Sequence, residues 1–431
     1  MKKSVLVFVL FVVAGCGGKP ELAAPPDVAP APLAVPAQWI QLNDGGAAEI
    51  RAVVETPGGA CPVFYSGGKK IALTLRAEAD AKFATVCSAP VPKGAQIDGM
   101  PRINLNPQRI LMLGDTGCRL KDKTIQNCNN PKDWPFPSVA AAAARLKPDL
   151  VLDVGDYQYR ETPCPTGNAG CEGTPYGDNW PAWKADFFAP VAPLLAAAPW
   201  VFVRGNHEDC QRSGPGFLRM IGPLPFTPDC IGHLAPYRVP LGAFSLMVLD
   251  NADASDTEVD PKHVAVYQAE LAEADQPSPL PVWLAMHRPI WAAVKGPLGI
   301  SAGGNAQIIA SAEKTMVTKP VELMLSGHIH TFEILNYAGG TPPPQLVGGN
   351  GGDNLDVTPA NLKGTLFQGQ SHVSVKDGLS VGGYGFLLLT RMKTGWTIDI
   401  YDSAGLAEGQ CKFTTATDRL DCPRLPSPKA G

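Results

Sequence analysis

Arg109-Ile-Leu-Met-Leu-Gly-Asp115 and Asp149-Leu-Val-Leu-Asp-Val-Gly-Asp156 share one shape: a short apolar run that ends in a glycine and an aspartate. Four later segments repeat it with other polar endings. They are Trp200-Val-Phe-Val-Arg-Gly-Asn-His207, Ser245-Leu-Met-Val-Leu-Asp250, Pro281-Val-Trp-Leu-Ala-Met-His287 and Val321-Glu-Leu-Met-Leu-Ser-Gly-His328. Apolar runs of this length without alternation read as strands buried on both faces. Helical candidates lie between them: Val139 to Leu146 with Ser138 as its cap, His263 to Ala274, and Asn305 to Lys314. Alternating β and α segments predict an α/β body whose mixed or parallel sheets are flanked by helices. Functional groups in such sheets collect beyond the carboxyl ends of the strands, where each of the six polar clusters sits.

Working outward, residues 37–100 read as a small β unit. Glu49-Ile-Arg-Ala-Val-Val54 and Lys70-Ile-Ala-Leu-Thr-Leu-Arg76 are strand-like, with Gly58-Gly59 and Gly67-Gly68 as turn signals. Phe386–Arg391 and Trp396–Tyr401 flank Lys393-Thr-Gly and predict a C-terminal hairpin. The main body is expected at 101–431. The chain has 431 residues, 45% hydrophobic and 18% charged, which excludes disorder and a coiled coil. A net charge of −4 leaves no basic face for nucleic acid. The sequence carries no feature that selects an oligomeric state.

Lys2 and Lys3 precede a short apolar stretch, Val5 to Val13, of signal-peptide length. Val13-Ala14-Gly15-Cys16 resembles a bacterial lipoprotein signal, with a plain signal peptide as the alternative. The resemblance implies cleavage of 1–15 and acylation of Cys16, anchoring the chain to a lipid bilayer of the cell envelope. With Gly17 rather than Asp after the cysteine, the outer membrane is the implied address in a Gram-negative cell. Residues 16–36 are Pro/Ala-rich and read as a tether. Ten further cysteines in an exported chain predict disulfides. Sequence distance suggests 61–87, 118–128, 164–171, 210–230 and 411–422. None is in a C-x-x-C pair, which speaks against a thiolate zinc site.

The polar groups at the strand ends are Asp115, Asp156, Tyr159, Asn206, His207, His287, His328 and His330. Carboxylate oxygen and imidazole nitrogen together suit a divalent or trivalent metal, and two ions can share one carboxylate through its two oxygens. His328 and His330, two apart, face one side of an extended segment. Four of the chain's seven histidines fall in these clusters. His233, His263 and His372 match no motif and read as surface or structural residues, and Trp180 and Trp183 as core.

Gly114-Asp115-Thr-Gly117, Gly155-Asp156-Tyr-Gln-Tyr159, Gly205-Asn206-His207-Glu208, His287 and Gly327-His328-Ile-His330 resemble, in order, the five motifs of the calcineurin-like metallophosphoesterases. Tyr159 points to their purple acid phosphatase branch. The resemblance covers roughly residues 107–402. It implies an α/β/β/α sandwich and two metal ions: one on Asp115, Asp156, Tyr159 and His330, the other on Asp156, Asn206, His287 and His328, with Asp156 bridging. Tyr159 favours Fe(III) at the first position; Fe(II), Zn(II) or Mn(II) is implied at the second. The implied reaction is in-line attack on phosphorus by a metal-bound hydroxide. His207 would assist the leaving group and Glu208 would orient His207. The family's further histidines after the fourth motif are missing here. Arg288, Lys295 or Arg119 would then serve as the phosphate-binding cation. The Gly348-Gly-Asn-Gly-Gly-Asp353 stretch reads first as a turn. The expected substrate is a phosphate monoester, the alternatives being a phosphodiester or nucleotide, or a non-catalytic binding role. Bridges at Cys118, Cys164 and Cys210 would brace the loops that carry the site.

Overall fold

A computed structural model describes residues 35–296, 299–302, 304–312, 317–318, 320–340, 342–359, 361–367, 370–415, 417 and 419–424. The expected signal segment and the tether up to residue 34, Cys16 included, lie outside the described residues.

All six apolar runs are strands. Arg109–Leu113, Leu150–Asp153 and Trp200–Phe202 pair in parallel in one sheet. Ser245–Val248, Val282–Ala285 and Val321–Ser326 pair in parallel in another. Each strand buries both faces, but against different partners. Ile110, Met112, Leu152 and Val201 meet Leu246, Trp283, Leu325 and Leu346 between the two sheets. Their alternates Leu111, Val151 and Phe202 pack on the outer side against Phe136, Val139, Phe187 and Phe188. On the far side, Met247, Leu284 and Met324 pack with Tyr267, Leu271 and Ile308. The result is the four-layer α/β/β/α sandwich.

The helices differ from the sequence reading in their starts. The first spans Phe136–Arg145 and uses no side-chain cap; Pro137 in its first turn has no N–H to leave unpaired, so Ser138 is not needed as one. The second spans Pro261–Ala274 and is capped by Asp260, whose carboxylate accepts from the Lys262 N–H. The third spans Ala306–Ala312, where Asn305 accepts from the Ile308 N–H.

The residues expected as an N-terminal β unit form strands, but not a sheet of their own. Ala37–Leu42 pairs in parallel with Trp200–Phe202, and Ala48–Val54, Thr85–Pro90 and Thr74–Ala77 follow it, extending the first sheet to eleven strands. The expected strand 70–76 breaks at Leu73 because its halves bond to different partners: Lys69–Ala72 to Val63–Ser66, Thr74–Ala77 to the sheet. The C-terminal hairpin, Gly385–Met392 and Gly395–Asp402, adds to the other edge through Arg109–Leu113. The second sheet has eight strands. Trp180 and Trp183 are buried in the core.

All five expected disulfides are present: 61–87, 118–128, 164–171, 210–230 and 411–422. Such a set marks a chain that folds outside the reducing cytoplasm. Among the described residues no helix is long and apolar enough to cross a membrane.

Trp283 is buried in the middle of the inter-sheet core. Its ring lies 3.9 Å from Phe244 and 5.2 Å from Trp396, centroid to centroid. Trp283→Ala should lower unfolding free energy by about 3–5 kcal/mol in urea titration. A loss below about 1 kcal/mol would show that the sheets do not depend on it.

Candidate metal centre

The two sheets deliver their strand ends to one place. Asp115 and Asp156 follow adjacent strands of the first sheet, and Asn206 follows the next. His287 and His328 follow adjacent strands of the second. The loops are tied to one another by main chain: Asp115 N–H donates to Gly155 O (2.8 Å), Thr116 N–H to Asp156 O (3.0 Å) and Gly327 N–H to His287 O (2.9 Å). The His328 N–H crosses between sheets to Asp115 Oδ2 (2.9 Å).

The donor atoms gather in two groups. In the first, the Tyr159 hydroxyl stands 2.8 Å from Asp156 Oδ2, 3.1 Å from Asp115 Oδ1 and 3.2 Å from His330 Nε2, with His330 Nε2 3.3 Å from Asp115 Oδ1. In the second, His287 Nε2 stands 3.1 Å from Asp156 Oδ2 and 3.0 Å from Asn206 Oδ1, and His328 brings a ring nitrogen into the same group. One hydroxyl proton cannot satisfy two carboxylates and an imidazole nitrogen at once. Converging hard oxygens and imidazoles with so few protons fit metal ions, and the residues present therefore suit a two-metal centre.

Asp156 is common to both groups through Oδ2 alone. Its Oδ1 accepts the His207 N–H (2.8 Å). The ring orientations are fixed from behind: His287 Nδ1 donates to Val154 O (2.7 Å) and His330 Nδ1 to Asn354 O (2.6 Å), which turns each Nε2 to the centre. Asp115, Asp156 and His328 adopt positive φ of 55°, 62° and 69°. Left-handed backbone at non-glycine residues costs free energy and collects at functional sites.

Electrostatics follow from burial without solvent. Burial pushes the Tyr159 hydroxyl well up, with Asp156 and Asp115 adding to it. Asp156 resists burial and is held well below the usual carboxylate range by His287 and His207. Burial would lower His287 and His330, but Asp156 raises the first to about 9, and Asp353 and Asp115 raise the second to about 10. Bound cations reverse this order by favouring phenolate and neutral imidazole.

Residues 108–332, more than half of the chain, match the calcineurin-like phosphoesterase family. The chain belongs to that family. It is a metal-dependent phosphoric ester hydrolase of the class that works with a dinuclear metal centre. In fold it is similar to the purple acid phosphatase from yellow lupin (Lupinus luteus) seeds, at 13% identity over 87% of this chain and 73% of that one, TM-score 0.52. It is similar to PhoD at 13% identity over 92% and 93%, TM-score 0.52. No curated protein matches the chain in sequence.

Around the centre, the phosphoesterase departs from the sequence expectations for Glu208 and for a free phosphate-binding cation. Glu208 does not orient His207. Its carboxylate is occupied by four backbone N–H groups, of Gly205 (3.2 Å), Asp156 (3.1 Å), Tyr157 (2.9 Å) and Gln158 (3.2 Å). It braces the Asp156 loop, and burial followed by Asp156 raises its pKa. The His207 ring is met instead by Glu161, 2.6 Å from Nδ1, and by Arg212. Burial pushes His207 down to about 3 against the pull of Asp156 and Glu161. Arg288 is not open to the centre as a lone cation: it pairs with Asp256, whose Oδ2 is 3.2 Å from His328 Nε2. Arg119 pairs with Asp353 and lies 4.8 Å over the Tyr159 ring. Lys295 is exposed on the strand Ala293–Gly296.

Glu161, Arg212, Asp256 and Asp353 escaped the sequence reading because each lies outside the five motifs. Asp353 had a signal. The Gly348–Asp353 stretch packs on the Asp115 loop, with Gly351 N–H on Gly114 O (3.0 Å) and Asp353 N–H on Asp115 O (2.9 Å). A Cβ on Gly349 would sit 2.7 Å from Asp115 Oδ2. Outside the centre, His233 pairs with Glu270 (2.7 Å), and His263 is half-buried near Asp253 and Asp260. The His372 side chain lies outside the described residues.

Gly205 has an ordinary φ of −91°, yet a Cβ there would overlap the Asp156 N–H and carboxylate. Gly205→Ala should leave the far-ultraviolet circular dichroism unchanged and cut bound metal below two ions per chain by elemental analysis. Full metal content in a folded variant would refute this reading of the loop.

Proposed function

We propose that the protein is an exported, lipid-anchored phosphomonoesterase similar to the purple acid phosphatases. The observation that carries this is the pair of donor groups sharing Asp156 Oδ2, with His207 beside them. Asp115, Asp156, Tyr159 and His330 would hold Fe(III), since a phenolate suits that ion; Asp156, Asn206, His287 and His328 would hold Fe(II), Zn(II) or Mn(II). Bound there, the ions supply Lewis acidity to the phosphoryl oxygens and to the attacking water.

The chain's own groups do the rest. Glu161 accepts from His207 Nδ1–H and so turns Nε2 toward the centre, 3.9 Å from Asp156 Oδ2. Burial keeps the His207 ring neutral without substrate; the negative charge of an entering dianionic ester favours its protonated form, which gives its proton to the leaving-group oxygen. Arg212, against the ring, makes that proton more acidic and offers a charge to the phosphoryl group. Arg119 and Arg288 stand on the other sides and complete the recognition of a dianion.

Asp256 favours a second reading. Its half-exposed carboxylate beside His328 opposes a dianionic ester and suits a singly charged phosphodiester. kcat/KM on matched aryl mono- and diesters separates the two, and a strong diester preference would replace the monoesterase.

Export and anchoring rest on the Lys2–Lys3 start, the apolar run, Cys16 and the five disulfides. Cys16→Ser should move the protein from the detergent phase to the aqueous phase in phase partition. Retention in the detergent phase would overturn the lipid anchor.

His207→Ala should lower kcat/KM by about 10²–10⁴ with metal content intact. Asp156→Asn should remove both activity and metal. An active, metal-replete Asp156→Asn enzyme would overturn the bridging role.

A further inference from the structure

The N-terminal strands contribute no donor to the centre, yet they hold the segment that follows His207. That segment is the short helix Gly214–Met220. Its leading end is fastened to the His207 turn. Ser213 donates to His207 O twice, from N–H (3.1 Å) and from Oγ (2.6 Å), and Gly214 N–H donates to Asp209 O (2.9 Å). Arg212, one residue earlier, touches the His207 ring and donates to Asn206 O (3.0 Å).

The trailing end is fastened to the N-terminal strands by two guanidinium groups. Arg51 donates to Met220 O (2.7 Å) and Gly222 O (2.9 Å). Arg76 donates to Leu218 O (2.9 Å), Arg219 O (2.9 Å) and Leu224 O (2.7 Å). The Gln41 side chain takes Ile221 O (3.2 Å). Grip runs the other way too, with Arg219 donating to Glu78 O (2.6 Å). The carbonyls that a helix leaves unpaired at its end, where the dipole favours cations, are thus taken by charged groups from another part of the chain. Arg51 is fully buried with Glu49 (2.7 Å) as its ion-pair partner. Its Nε has no partner, so the two Nη groups, bonded to Met220 O, Gly222 O and Glu49, carry the whole compensation for burying the charge and hold those carbonyls in place.

We propose that Arg51 and Arg76 are positioning residues for His207. They fix the far end of a rigid rod about 10 Å long. Its near end sets the depth of the His207 turn, and with it the distance from the ring to the leaving group. A displacement at one end of so short a helix appears at the other, and an error of about 1 Å in a reacting group costs about 10²-fold. The proposal rests on the reading of His207 as proton donor.

The test uses the metal-loaded enzyme with Arg51→Met, Arg76→Met, Arg51→Lys and His207→Ala. kcat/KM is measured on two phosphomonoesters, nitrophenyl and alkyl. A nitrophenolate leaves with little help, whereas an alkoxide needs the proton. Both Met variants should lose about tenfold or more on the alkyl ester and less than about threefold on the nitrophenyl ester, with metal at two ions per chain and partial recovery in Arg51→Lys. In the His207→Ala background, Arg51→Met should cause no further loss. Equal losses on both esters, or the same factor with and without His207, would overturn the positioning role. If His207→Ala itself loses equally on both esters, the proton-donor reading fails, and the comparison of Arg51→Met with and without His207 then decides the positioning role alone. Should Arg51→Met not fold, Arg76→Met, at a half-buried position, carries the same test.

Discussion

One carboxylate oxygen, Asp156 Oδ2, organises the centre. It stands within 3.1 Å of both the Tyr159 hydroxyl and His287 Nε2, which come from different sheets. For a single oxygen to face both groups, the other must be immobilised, and the His207 N–H does this. The backbone N–H of Asp156 is in turn held by Glu208, which also takes the next two N–H groups. Asn206, His207 and Glu208 are consecutive, so one turn supplies a donor atom, the ring proposed to serve the leaving group and a brace for the shared carboxylate. Moving this turn would disturb all three functions together, which is why the elements that hold it matter as much as the donors.

The geometry is bought with backbone strain and close approach. Three of the five described non-glycine residues at positive φ are Asp115, Asp156 and His328. Left-handed backbone lets the side chain turn back over its own strand end, where an extended residue would aim it along the loop. Each strained position is pinned across loops through its own backbone N–H, Asp115 donating to Gly155 O, Asp156 to the Glu208 carboxylate and His328 to Asp115 Oδ2. The disulfides work on the same loops from outside. Cys118, Cys164 and Cys210 each lie a few residues beyond a donor or His207, and each is bonded.

The sequence made the strands and the donors legible for one reason: both are local. A buried parallel strand announces itself as an apolar run, and the motif residues follow it directly. What stayed hidden depends on contacts between distant segments. Glu161 lies next to the Tyr159 motif, but its contact with His207 spans two loops. Asp353 reaches Arg119 across more than half the chain. Glu208 was misread because its place in a motif suggested a neighbour in sequence, while its bonds go to the loop of Asp156. The N-terminal strands looked like a separate unit because the sequence shows their alternation but not the pairing of Gln41 with Trp200 that merges them into the main sheet.

The three arginines show why a missing histidine is not simply replaced by a free cation. Arg119, Arg212 and Arg288 touch or face different sides of the centre, and each is paired with a carboxylate: Asp353, Glu161 and Asp256. An unpaired guanidinium in so buried a place would repel the metals and cost solvation. A paired one is tolerated and remains aimed. On the proposed reading, an anionic ester would compete for guanidinium donors already oriented, and little conformational freedom would be lost on binding. The pairs are not equivalent. Asp353 is fully buried and holds Arg119 over Tyr159, whereas Asp256 is exposed enough to turn toward water, which would free Arg288 for the proposed substrate. In the proposed monoesterase, the balance between ester charge and Asp256 would therefore set which phosphate esters bind.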